Sequence, residues 1–196
     1  MQSDTLATET HEKNERTLLG FWIYLMTDIV LFATLFATYV VLRTGTNGGP
    51  TGADIFDLPF VLVETLVLLT SSFTSGLMMI AVRRQKVRQI ICWLVVTMIL
   101  GIAFLTLELT EFGQLISEGH SWRESAFLSA FFTLVGTHGL HILFGLLWAF
   151  VLMGQLIAKK LTANVERRLS LFAMFWHFLD IVWIFIFTIV YLLGVL

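Results

Sequence analysis

Residues 127–148 read FLSAFFTLVGTHGLHILFGLLW. The run is apolar and long enough for a helix to cross a bilayer, which takes about 20 residues. Its middle nevertheless holds Thr137, His138, Gly139, Leu140 and His141. Histidines at i and i+3 share one helix face. An ionisable group at that depth is costly in lipid, so the face must turn to protein or water. Gly136 and Gly139 leave room for a neighbouring helix to come close. A chain that places His138 and His141 at mid-membrane must supply their partners from its other spans.

Composition sets the class. The chain is 57% hydrophobic and 13% charged, with a mean hydropathy of +0.86. Soluble domains carry about 25% charged residues, so this is an integral membrane protein. A net charge of −2 points to no nucleic-acid partner. Cys92 is the single cysteine, which removes an internal disulfide framework and any cysteine-based metal site. Residues 1–17 are polar and lack the basic start of a signal peptide, so they read as a short mobile cytoplasmic tail.

The remainder, 18–196, divides into five apolar spans: 18–42, 58–82, 89–112, 125–157 and 170–195. The expected fold is all-α, an integral membrane bundle of five transmembrane helices. No internal repeat supports an inverted-repeat transporter. Arg83, Arg84, Lys86 and Arg88 crowd the link between spans two and three. Lys159, Lys160, Arg167 and Arg168 crowd the link between spans four and five. Basic links stay in the cytoplasm, which places the N-terminus inside and the C-terminus in the periplasm. Lys13 and Arg16 agree with that orientation. Asp57 is suited to cap span two, with Pro59 in its first turn. Ser121 and Glu124 have capping-box spacing ahead of span four, and Asn164 is a candidate cap for span five. Small residues four apart, Ala33/Ala37, Ser71/Ser75 and Ser72/Gly76, mark expected helix contacts.

The polar residues inside the spans are the candidate functional groups. Asp28 lies in the middle of span one, where a carboxyl must be protonated, paired or hydrated. Glu64 is deep in span two, and a histidine is its expected partner. Glu108 and Glu111 stand near the end of span three and read as facing the interface. His177 and Asp180 share a face of span five, and Trp176 and Trp183 fall roughly on it. Glu108 and Asp180 are the first candidates to pair with His138 or His141. Histidine and carboxylate suit iron, copper or zinc. A di-iron bundle, however, uses Glu-x-x-His pairs, and the pairs here are Glu-x-x-Glu, His-x-x-His and His-x-x-Asp. Spacing leaves haem ligation by facing histidines open. The favoured reading is a buried polar network joining helices, with no catalytic, cofactor or metal site in this chain.

Several stretches carry a resemblance. FFTLVGTHGLHILFG and FWHFLDIVWIFIFTIVYLLG resemble two helices of subunit III of the haem–copper respiratory oxidases. LELTEF is similar to that family's Glu-x-x-Glu, and DLPFVLVETLVLLTSS to its Pro-led helix. FWIYLMTDIVLFATLFATY resembles its first core helix, with the family's buried acid falling on Asp28. The resemblance runs from Phe21 to the C-terminus.

Within the family, five helices resemble the bacterial quinol oxidases of the cytochrome bo type. Cytochrome c oxidase members usually have two further N-terminal helices, and many carry Glu where this chain has Asp28. The resemblance implies a non-catalytic subunit of a proton-pumping ubiquinol oxidase in the bacterial inner membrane. Haem and copper would sit in subunit I, with subunits II and IV as further partners, and membrane lipids around them. It also leaves room for a bound phospholipid. This subunit would support assembly, stability and proton uptake, with Asp28 near the proton entrance. The alternatives are subunit III of a cytochrome c oxidase or of a nitric-oxide-reductase-associated protein. More distant is a stand-alone membrane metalloprotein or transporter.

Overall fold

The structure, a computed structural model, describes residues 2–195. Met1 and Leu196 fall outside it, as do the side chains of residues 2–14, Lys13 among them, and of Lys159. Its elements are α1 (Gln2–Leu42), the short α2 (Gly52–Ile55), α3 (Leu58–Arg83), α4 (Val87–Ser117), α5 (Ala126–Lys159) and α6 (Ala163–Ile186). A π-helical turn, Phe187–Leu192, and a last turn, α7 (Leu193–Val195), continue α6 to the end. Five helices are long and apolar enough to cross a membrane, namely α1, α3, α4, α5 and α6 with its extension. The protein is therefore a multi-pass, all-helical membrane protein.

Local chemistry sets the helix ends, and three of them differ from expectation. Asp57 does cap α3, its Oδ1 accepting from Phe60 N at 3.4 Å, with Pro59 in the first turn where no N–H is needed. Ser125, rather than Ser121, caps α5: its backbone is extended and its Oγ accepts from Leu128 N at 3.1 Å. Ser121 to Glu124 is spent on a turn closed by Glu124 N donating to Ser121 O. Thr162, rather than Asn164, caps α6 by accepting from Val165 N. Asn164 already lies inside that helix and accepts from Arg167. At the other terminus, α1 begins at Gln2, so the segment expected as a mobile tail is its first part.

α4 runs on to Ser117, past the point where its apolar pattern fades. That extension moves Glu108 and Glu111 away from the helix end. Both are buried, at 1% and 7% exposure, and the interface reading of these two residues is overturned.

The bundle has two chemically different ends. Gln85 Nε2 donates to Glu166 Oε2 at 3.4 Å, so the two basic links meet at one end. At the opposite end Phe127 N donates to Gly45 O at 3.3 Å, joining the first link to the start of α5. There Thr51 N and Oγ1 both donate to Asp54 Oδ2, at 2.8 and 2.6 Å. These bonds hold the Asp54 carboxyl below the usual carboxylate range, chiefly through the Thr51 hydroxyl.

Candidate functional site: the buried polar groups

The small residues of α3 bring α4 and α6 against it. Ser71, Ser72, Thr74 and Ser75 are buried on α3, as the Ser71/Ser75 spacing predicts, whereas a Cβ on Gly76 of the Ser72/Gly76 pair would meet nothing within 4 Å. Their hydroxyls form a seam. Trp183 Nε1 donates to Thr65 Oγ1 at 3.0 Å. Trp176 Nε1 donates to Ser71 Oγ at 3.0 Å. His177 Nδ1 lies 2.6 Å from Ser72 Oγ. From Thr65 to Ser71 the contacts ascend α3 while descending α6 from Trp183 to Trp176, as antiparallel helices require. On the other side Ser71 Oγ donates to Thr97 O at 3.2 Å, and Thr74 and Thr97 hydroxyls meet at 2.8 Å. So α4 and α6 both hang on one polar stripe of α3.

Trp176 is the wedge of this assembly. A Cβ added to Gly101 of α4 would come within 2.9 Å of its ring, and so would one added to Gly145 of α5. Contacts that short do not occur between real side chains, so both glycines are required for the indole to enter.

A second group gathers near the far end of α3. Glu64, Glu108 and Glu111 lie within electrostatic reach of one another. Tyr191 Oη donates to Glu111 Oε2 at 2.8 Å. Tyr191 sits in the π-helical turn, whose register also leaves Val190 O to accept from Tyr39 Oη at 3.3 Å. The turn therefore ties α1 and α4 to the end of α6. Among the described residues neither oxygen of Glu64 has a hydrogen-bond partner. The histidine expected beside Glu64 is not there.

The two histidines of α5 face different surroundings. His138 is fully buried, and neither ring nitrogen has a partner among the described residues. Its ring lies over Trp183 at 5.2 Å and meets the edge of Phe104 at 5.9 Å. The acid expected at its side, Glu108, packs instead on the backbone one residue on. A Cβ on Gly139 would come within 2.5 Å of Glu108 Oε1. Gly139 thus admits a neighbour, as expected, but the neighbour is a carboxyl. Gly136 is in ordinary contact with Phe112.

His141 meets Asp28. Its Nδ1 lies 2.7 Å from Thr137 O, a carbonyl that can only accept, so Nδ1 carries a proton. Nε2 is left to face Asp28 Oδ1 at 3.8 Å. The separation is too long for a direct hydrogen bond. The partner of His141 is thus an acid of the first helix, and neither of the two acids first expected.

His138 is enclosed by Phe32, Phe104 and Trp183, His141 lies against Thr137, Phe32 and Asp28, and His177 pairs with Ser72. Among the described residues no three of His, Cys, Asp and Glu are grouped as a metal site needs. Thr65, Thr97, Tyr39 and Tyr191 carry contacts that reading the sequence did not single out. Thr65 and Ser72, seven apart on the face of two spaced tryptophans, were the available signal.

The sequence that builds these five helices matches a known family. The family model of cytochrome c oxidase subunit III matches residues 2–195, and the chain belongs to that family, subunit III of the haem–copper oxidases. It is 56% identical to the cytochrome bo(3) ubiquinol oxidase subunit 3 of Pseudomonas aeruginosa, over 95% of this chain and 89% of that one. It is 44% identical to a cytochrome c oxidase subunit 3 of Bacillus sp. (strain PS3), over 93% and 88%. It is 42% identical to the quinol oxidase subunit 3 of Bacillus subtilis, over 93% and 90%.

Proposed function

We propose that this chain is the non-catalytic third subunit of a proton-pumping ubiquinol oxidase of the bacterial inner membrane. The observation that carries the reading is the 56% identity, along 95% of the chain, to a ubiquinol oxidase subunit 3. The two Bacillus relatives stand at nearly equal identity, and one is named for cytochrome c and the other for quinol. Identity near 43% therefore does not separate electron donors; the step up to 56% supports quinol. The haems and copper belong to subunit I, with subunits II and IV completing the complex. The crowded rings around His138 and the hydroxyl beside His177 support that division of labour. The end carrying Arg83, Arg84, Lys86 and Arg88 is cytoplasmic by its charge.

The Asp28–His141 pair is where an acid of α1 and a base of α5 face each other. Thr137 fixes the imidazole so that Nε2 faces the carboxyl. In this reading the pair docks α1 and supports proton uptake by the neighbouring subunit. The test is purification of the tagged chain in mild detergent. A co-purifying haem-bearing subunit, with quinol oxidation in the isolated complex, is expected. A solitary chain with its own Soret band, lost in His138 or His177 variants, would overturn the reading in favour of a membrane haem protein.

A further inference from the structure

Two grooves flank α6, one against α3 and one against α1, and His177 lines both. The groove between α1 and α6 is the larger, at about 840 Å³. Trp22, Phe32 and Phe36 wall it on one side, Phe178 and Phe185 on the other. His177 is the one ionisable side chain among its lining residues. Its Nδ1 is turned to α3, where it lies 2.6 Å from Ser72 Oγ. The two nitrogens of an imidazole point to opposite sides of the ring, so Nε2 is turned from α3 toward the groove. Among the described residues Nε2 has no hydrogen-bond partner, and unlike both ring nitrogens of His138 it is not sealed.

Depth and chemistry at Nε2 select the occupant. The Ser72 hydroxyl can give its proton to Nδ1 or to the Asp180 carboxyl, which is also in reach. In the first case Nε2 carries the imidazole proton and donates; in the second it accepts. A hydroxyl on the occupant satisfies both. His177 stands 14 residues after Ala163 and 18 before Val195 in a span bounded by those residues, so it lies deep in the hydrocarbon. Phospholipid headgroups stay at the surface, and an acyl chain offers Nε2 no partner. A haem would bring carboxylates, and no lysine or arginine is among the lining residues to meet them. What fits is an aromatic ring bearing hydroxyls on a long apolar tail. The groove is elongated enough for the tail: Trp22 and Phe36 are 14 residues apart, about 21 Å of helix. His177 is near one end, three residues from Met174 and eight from Phe185.

We propose that the α1–α6 groove holds a molecule of ubiquinol, with a ring hydroxyl at His177 Nε2 and the isoprenoid tail running toward Phe36 and Phe185. This rests on the reading of the chain as a subunit of a ubiquinol oxidase. In that reading the redox centres lie in subunit I, so the groove stores quinol beside the catalytic subunit and does not oxidise it.

The experiment uses the intact complex. It is illuminated with an azido-ubiquinol analogue, and the labelled peptides are mapped by mass spectrometry. The expected labels fall within 22–36 or 174–185 of this chain, and excess ubiquinol removes them while excess phospholipid does not. Ile181→Trp, at a groove wall residue that is 54% exposed, fills the groove and should abolish them. His177→Phe keeps a ring without its nitrogens. Loss of a hydrogen bond in an apolar site costs about a decade in affinity, so labelling at limiting probe should fall about tenfold. Gly154→Leu, at an α5 position whose Cβ meets nothing within 4 Å, should leave labelling unchanged. Labels confined to other subunits, labels displaced equally by phospholipid, or full labelling of either groove variant would overturn the proposal. A complex that oxidises cytochrome c and not quinol would instead fell the reading as a ubiquinol oxidase, and this occupant with it.

Discussion

The seam between α3 and α6 and the edge formed by α1 hold their helices by different means. Along the seam, serine and threonine hydroxyls meet two indole N–H groups and one imidazole nitrogen. Glycines of α4 and α5 make room for the indole that crosses it. Along α1 stand the Asp28–His141 pair at 3.8 Å, a tyrosine hydroxyl reaching a carbonyl, and aromatic rings such as Phe32 against His141 at 5.1 Å. Ala33 and Ala37, expected to bring a neighbour close, remain exposed. In lipid no water is gained by burying an apolar face, so close approach and hydrogen bonds decide which helices hold together. The seam has both; α1 is attached at a few points and leaves an apolar groove beside it.

The comparison breaks most sharply at Trp176. Trp176→Ala empties the space between Gly101 and Gly145 and leaves the Ser71 hydroxyl with only its bond to Thr97 O. In soluble cores such truncations cost about 3–5 kcal/mol. Thermal unfolding in detergent should show a loss of that order, and a change within error would mean the indole does not hold the bundle. Gly145→Leu approaches the same point from the other side. Overpacking costs about 1–3 kcal/mol, so it should destabilise less than Trp176→Ala but clearly more than Gly154→Leu.

The α1 edge should respond more weakly and more locally. Asp28→Leu removes the partner of His141 and should loosen α1, at a cost near the ~0.6–1.7 kcal/mol found for polar links in membranes. Asp28→Asn keeps shape and hydrogen bonding and should be nearly silent in stability. Proteolysis within the first link, with global unfolding measured in parallel, separates loosening of α1 from collapse of the bundle. Equal effects of Leu and Asn would show that the pair contributes nothing to docking. On the seam, Thr65→Val deletes one acceptor for Trp183 and should cost about 0.6 kcal/mol.

The smallest effect is expected in the link before α3. Asp54 has its carboxyl held below the ordinary range when folded. The stabilisation is therefore present above the unfolded carboxyl pKa and is lost as pH falls through the folded one. Amide exchange around Thr51 should accelerate only in that acidic window. Thr51→Val should move the midpoint upward, toward the ordinary carboxylate value. An unchanged midpoint would show that the hydroxyl does not hold the carboxyl.

The five spans and the class of the fold were legible because apolar runs of this length have few other readings. The packing face of α3 was legible too, from Ser71, Ser72 and Ser75. Partners were not. His138 and His141 lie three apart, yet one ring meets aromatic rings and the other an acid from a helix about 110 residues earlier in the chain. Helix periodicity gives the face of a residue, while the partner depends on rotation and depth of another helix. Glu108 and Glu111 were misjudged for a related reason: Gln114, Ser117 and Glu118 look like an interface, but α4 continues to Ser117. Tyr191 was illegible because its position depends on a turn that is not α-helical.

That turn works as a vernier. Trp183 and Tyr191 are eight residues apart, and eight residues of α-helix overshoot two full turns by about 80°. On a regular helix the two side chains would look out over different neighbours. The wider π-helical turn at Phe187–Leu192 absorbs roughly one residue of that advance, which brings the offset down to about 20°. The rings accordingly lie 6.2 Å apart. Removing a single residue from 187–192 would restore an even helical winding without rotating Tyr191 away from Glu111. Removing one from 178–182, just upstream, would leave the winding of the turn intact and carry Tyr191, its hydroxyl and the Val190 carbonyl about 100° out of phase with the rest of the molecule.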